Sequence, residues 1–169
     1  MSLLLQAFTN TANTSIIADN AGGALPKTPV VVAPTTEPLI DGNSAYLWSP
    51  TSIANQTVTF RSTFTFGTPL LGLALPLSFN YAFAGNDTVL VTGTLQIVNI
   101  ANFVIATIPL FSNVLNTNGP NSVEIASADT LLALNLLGNT ARITIDAIVT
   151  APVINTGKYL GQLTVRSVV

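Results

Sequence analysis

The chain has 169 residues, 49% of them hydrophobic and only 7% charged, with a formal net charge of −2; globular domains usually spend about a quarter of their residues on charge. Its five basic residues, Lys27, Arg61, Arg142, Lys158 and Arg166, are scattered, so no basic stripe exists to displace counterions from phosphates, and nucleic acid is not expected as a partner. With neither Cys nor His, disulfides, thiolate metal sites and the commonest general base are excluded.

The stretch MSLLLQAFTNTANTSIIA precedes the first charged side chain, Asp19. It has no basic n-region and its leucine run stops at Gln6, which argues against a secretory signal peptide. Leu3, Leu4, Leu5, Phe8, Ile16 and Ile17 keep no 3.6-residue period, and the intervening Thr and Asn are poor helix formers. The spacing predicts an extended arm that needs a surface to lie against. Gly22 and Gly23 are the expected hinge, followed by PKTPVVVAPTTEP, whose prolines predict an extended, polyproline-like strap. Arm and strap are expected over residues 1–40, and a single domain over 41–169.

From Gln56 the period becomes two. TVTFRSTFTF places Val58, Phe60, Phe64 and Phe66 on one face and Thr57, Thr59, Arg61, Thr63 and Thr65 on the other, the pattern of a half-buried strand. LSFNYAF alternates likewise, GND at 85–87 supplies turn chemistry, and TVLVTGTLQIV resumes the alternation. Gly93 within that run predicts a bulge or a close backbone approach. NFVIATIPLF is expected to be a strand ended by Pro109, and NTNGPN a loop. SADTLLALNLLGN fits either a short helix capped at Ser127 or Asp129 and ending at Gly138, or a buried strand. ARITIDAIV and KYLGQLTVRSVV close the chain as strands. The apolar window 97–111 contains Asn99, Asn102 and Pro109 and is too short for a spanning helix, so no membrane is expected as a partner. About eight strands with at most one helix predict an all-β fold: an antiparallel β-sandwich of jelly-roll type with an extended N-terminal arm.

SAYLWSPTSIANQTVTFRSTFTF followed by PLSFNYAFAGNDTVLVTGTLQI resembles the galactose-binding-like jelly rolls that serve as accessory domains of glycoside hydrolases. Trp48, Phe60, Arg61, Phe64 and Asp87 carry the resemblance, over roughly residues 45–100; LVTGT stands where that pattern has an Asn-Gly turn. In style, this charge-poor Thr/Asn/Val-rich chain resembles self-assembling bacterial spore-surface and appendage subunits, several of which join neighbours through N-terminal arms. Appendage subunits typically carry N-terminal cysteines for crosslinks, and this chain has none. A small viral capsid protein also fits a jelly roll with an arm, but genome-packaging arms are usually basic.

The acids are Asp19, Glu37, Asp41, Asp87, Glu124, Asp129 and Asp146. No two lie close on one strand face as a glycosidase pair would require, so no catalytic residue is assigned and no enzyme is expected. One Asp in AGNDTV falls short of a calcium ligand set, and no metal or cofactor is expected. Arg61 and Asp146 each sit on the polar side of a strand, where solvated charges are expected ahead of an intra-sheet or intersubunit ion pair.

A charge-poor surface and an apolar arm point to assembly. The arm is suited to add as a strand to a neighbour's sheet, Leu3, Leu5 and Phe8 seating in pockets, and head-to-tail repetition makes a ring or a filament. The expectation is a structural protein that polymerises with itself into a fibre or surface layer, at a cell or spore surface or outside the cell. The alternative is a carbohydrate-binding or adhesive module, with a glycan as partner and Trp48, Tyr81 and Tyr159 as its ligand platform.

Overall fold

Strict two-residue alternation dominates the chain from Gln56 onward, and each alternating run forms a strand with its apolar side turned inward. The structure is a computed structural model that describes residues 1–32, 45–67, 74–119, 122–133 and 139–167. Pro34, Pro38 and Asp41, and the expected helix end at Gly138, lie outside these residues.

The elements are β1 (Ser2–Phe8), β2 (Thr14–Asp19), β3 (Val30–Val31), β4 (Leu47–Trp48), β5 (Gln56–Gly67), β6 (Ala74–Asn86), β7 (Thr88–Val98), β8 (Val104–Asn116), β9 (Glu124–Ala133), β10 (Thr140–Ala151) and β11 (Lys158–Ser167). They form two antiparallel sheets. One runs β3-β4-β11-β6-β9, with β1 also paired to β11, and the other β2-β5-β10-β7-β8. The two sheets pack as a β-sandwich of jelly-roll type. Among the described residues there is no helix, and so none long and apolar enough to cross a membrane.

The core lies between the sheets. Phe60, Phe64, Val91, Leu95, Ile143 and Ile145 come from one side, and Phe79, Tyr81, Phe83, Tyr159, Leu163 and Val165 from the other. Burying aromatic side chains at this density supplies the main drive to fold, at roughly 1.5–3 kcal/mol for each large apolar group.

Three local readings are refined by the structure. The turn at 85–87 does not close a hairpin: β6 belongs to the first sheet and β7 to the second, so this turn carries the chain between sheets. Pro109 does not end its strand. β8 runs on to Asn116, which an edge position allows because no further strand needs the missing N–H. Ser127 and Asp129 lie in β9, Ser127 Oγ donating to Asn80 Oδ1 at 2.9 Å, and neither caps a helix. Gly93 fits its expectation twice over. The β7–β8 register shifts on both sides of it, and a Cβ there would stand 2.5 Å from the Phe111 ring.

Candidate functional site

The N-terminal ribbon divides at Asn10. Its side chain accepts from the Ala12 and Asn13 N–H groups, while Asn13 Nδ2 donates to the Phe8 carbonyl at 2.7 Å. These side-chain turns break the extended run. On one side β1, with Leu3, Leu4, Leu5 and Phe8, pairs antiparallel with β11, Gln6 opposite Thr164. On the other, β2, with Ile16 and Ile17, pairs with β5 in the opposite sheet. Both strands lie in cis, and Ile16 is fully buried. β1 is held less deeply: Leu4, Leu5 and Ala7 pack against the core while Leu3 stays exposed. Gly22 and Gly23 sit in a loop that returns the chain from Ile16 to a bridge with Lys27, and both take the positive φ, +80° and +100°, that favours glycine.

That loop closes on a buried carboxylate. Lys27 Nζ lies 2.7 Å from Asp19 Oδ2, and the Asp19 side chain is 0% exposed. Ser49 Oγ donates to Oδ2 at 2.6 Å; Gln56 Nε2 and the Ala21 N–H each donate to Oδ1 at 2.9 Å. Burial pushes the Asp19 pKa upward, but these donors outweigh it and hold the carboxyl below its ordinary value. Gln56 Oε1 in turn accepts from Trp48 Nε1 at 3.2 Å. The network ties β2, the loop, β4 and β5 together.

Trp48, Tyr81 and Tyr159, named above as a ligand platform, are 2%, 0% and 0% exposed. A stacking platform needs an open ring face, and these rings are core. The Tyr81 and Tyr159 hydroxyls hydrogen-bond each other, and Phe60 stacks on Tyr159 at 4.9 Å between centroids.

Two surfaces remain as candidates. The first is one end of the sandwich. The direct β6–β7 turn fixes the opposite end, so Ala74, Val98, Val104, Ala133, Thr140 and Ser2 gather here, linked by the pairs Ala74–Ala133, Thr140–Val98 and Val98–Val104. Ile100 is 88% and Phe103 69% exposed, exposed Val104 and Ile105 continue this stretch into β8, and Met1, Leu3 and Leu131 are exposed on the first sheet's side of the same end. No charged side chain occurs in 98–108, while on the first sheet's side of this end Arg166 is exposed opposite Leu3 and Asp129 lines a hollow with Met1 and Leu131. The opposite end carries Asp87, Glu124 and Lys158 near its strand termini.

The second is the outer face of the second sheet, where β5, β10 and β7 place three cross-strand rows side by side: Thr65–Arg142–Gln96, Thr63–Thr144–Thr94 and Arg61–Asp146–Thr92. Arg61 Nε and Nη2 donate to the two Asp146 oxygens at 2.7 Å each, a bidentate pair that keeps the guanidinium more firmly protonated than usual. Arg142 donates from Nε and Nη2 to Gln96 Oε1 at 3.0 and 2.7 Å. Apart from Thr65, these rows line a hollow of about 500 Å³. Alternation in the sequence identifies the face; the cross-strand partners depend on register, which the sequence alone does not reveal.

No family model matches this chain, and no curated protein does. Solved structures do. The enzymatically active domain of tailspike protein 4 from bacteriophage CBA120 aligns with 94% of this chain at 12% identity and a TM-score of 0.51, and this chain spans 20% of that one. TmCBM61, solved with β-1,4-galactotriose, aligns with 96% of this chain and 88% of its own at 8% identity and a TM-score of 0.39. The VP2 subviral particle of infectious bursal disease virus aligns with 82% of this chain and 37% of its own at 13% identity, also at 0.39. At 12% identity the likeness to the tailspike domain extends to the fold alone.

Proposed function

We propose that this chain is a structural, non-catalytic β-sandwich subunit that assembles with copies of itself. The observation that carries this reading is the charge-free stretch 98–108 at this end, with Ile100, Phe103, Val104 and Ile105 exposed. Soluble monomers seldom leave contiguous apolar surface of this kind uncovered, and a charge share of 7% offers little repulsion between copies. A second copy is the occupant that fits, because the exposed 98–108 stretch offers no charge to a hydrophilic partner.

β1 is the proposed exchangeable arm. It starts at this apolar end, pairs only with β11 in its sheet, and is joined to β2 by the short turn at Asn10. The slot beside β11 in a second copy is the same slot, so strand exchange needs no new surface. Repeated head to tail, exchange gives a fibre or layer, and the resemblance to spore-surface subunits suggests a cell or spore surface as its place.

A lock tests the exchange. Gln6 and Thr164 are direct cross-strand partners, a separation that suits a disulfide, and the chain has no native cysteine. The double variant Gln6→Cys, Thr164→Cys is expected to stay dispersed when oxidised and to form fibres or sheets in negative stain when reduced. Equal assembly in both states would rule out β1 exchange.

A further inference from the structure

The polar face of the second sheet has a lengthwise asymmetry that assembly does not use, and we propose that it binds an acidic saccharide. At one end of the hollow stands Arg142, whose guanidinium is held by a neutral amide, Gln96. At the other, Arg61 and Asp146 cancel each other. Arg142 and Asp146 are four residues apart on β10, about 14 Å along an extended strand. Between them runs the hydroxyl row Thr63–Thr144–Thr94. The hollow therefore has a cationic end, a hydroxyl-lined middle, and a far end that both donates and accepts.

This pattern selects its ligand by chemistry. A fork such as Arg142 matches a carboxylate, while threonine hydroxyls and the Arg61–Asp146 pair match sugar hydroxyls. Every side chain lining the hollow is polar, which disfavours an apolar ligand. A single uncancelled cation is too little for nucleic acid. The volume of about 500 Å³ lies in the range of small-ligand sites. The outer face of an antiparallel sheet is often merely solvated; here each guanidinium is fixed by two hydrogen bonds that it donates to a neighbouring side chain before any ligand arrives, which lowers the ordering cost of binding.

The test is calorimetric titration of the full chain with a hexamer of galacturonic acid and with the neutral galactose hexamer. The acidic oligosaccharide is expected to bind the wild type at least about tenfold more tightly than the neutral one, the worth of one charge-assisted contact. Arg142→Gln is expected to abolish that preference, and Thr144→Val to weaken binding of the acidic hexamer severalfold, with the native circular dichroism spectrum kept in both. Absence of binding to the wild type would overturn the proposal, as would an acidic preference that survives in Arg142→Gln. Sedimentation of the same variants reads assembly separately, so failure of this site leaves the assembly reading intact.

Discussion

The Asp19 carboxylate and the Lys27 ammonium meet at 2.7 Å with the carboxylate wholly enclosed, whereas the Arg61–Asp146 pair, at the same 2.7 Å, is partly open to solvent. Equal distances therefore carry unequal weight. Removing Asp19 leaves Lys27, Ser49 and Gln56 pointing at an empty buried space, and an unpaired buried donor or charge is costly. Asp19→Ala is expected to destabilise the fold by about 2–4 kcal/mol in urea titration, and Asp146→Asn by less than about 1 kcal/mol.

The same carboxylate sets an acid limit. Its folded pKa lies below its ordinary value of 3.8, so its stabilising contribution is complete above the unfolded value and is lost as pH falls through the folded one. The urea midpoint of the wild type is expected to drop below about pH 4, and Asp19→Asn to flatten that drop. An equal acid loss in Asp19→Asn would assign the effect to other carboxylates.

Tyrosines set the alkaline limit. Burial raises the pKa of both Tyr81 and Tyr159; their mutual hydrogen bond pushes Tyr81 further up but offsets part of the rise at Tyr159. A raised folded pKa means stability that is full below the unfolded value, near 10, and is lost as pH rises toward the folded value. In an absorbance titration near pH 11, these two hydroxyls are expected to ionise only together with unfolding, as a single cooperative step.

Trp48, the one tryptophan of the chain, reports on its own packing. A Cβ at position 157 would fall on the Trp48 ring, so Gly157→Ala must displace either the ring or the 152–157 turn. The variant is expected to lose about 1–3 kcal/mol and to shift its fluorescence to longer wavelength, while Gly119→Ala, with open space around it and a positive φ, loses stability without that shift.

Much of this fold is legible in the sequence because alternation is a local property. Val58, Phe60, Phe64 and Phe66 announce the inner face of β5 whatever their neighbours are. Sheet order is not local: nothing in GND tells that β6 and β7 part to opposite sheets, and nothing in Arg61 alone names Asp146 as its partner 85 residues away. The N-terminal ribbon is extended as its composition predicts, but Asn10 and Asn13 turn it into two strands through side-chain hydrogen bonds. Trp48, Tyr81 and Tyr159 are equally suited by type to a core or a platform, and only three-dimensional placement decides for the core.

The central claim is that the apolar end joins copies of this chain. Sedimentation velocity of the full chain over a wide concentration range, beside the double variant Ile100→Lys, Phe103→Lys, tests it most directly. Both positions are exposed in the single chain, so the variant is expected to fold normally and sediment as a monomer while the wild type forms larger species. A wild type that remains monomeric throughout, or a variant that assembles as the wild type does, would contradict the account.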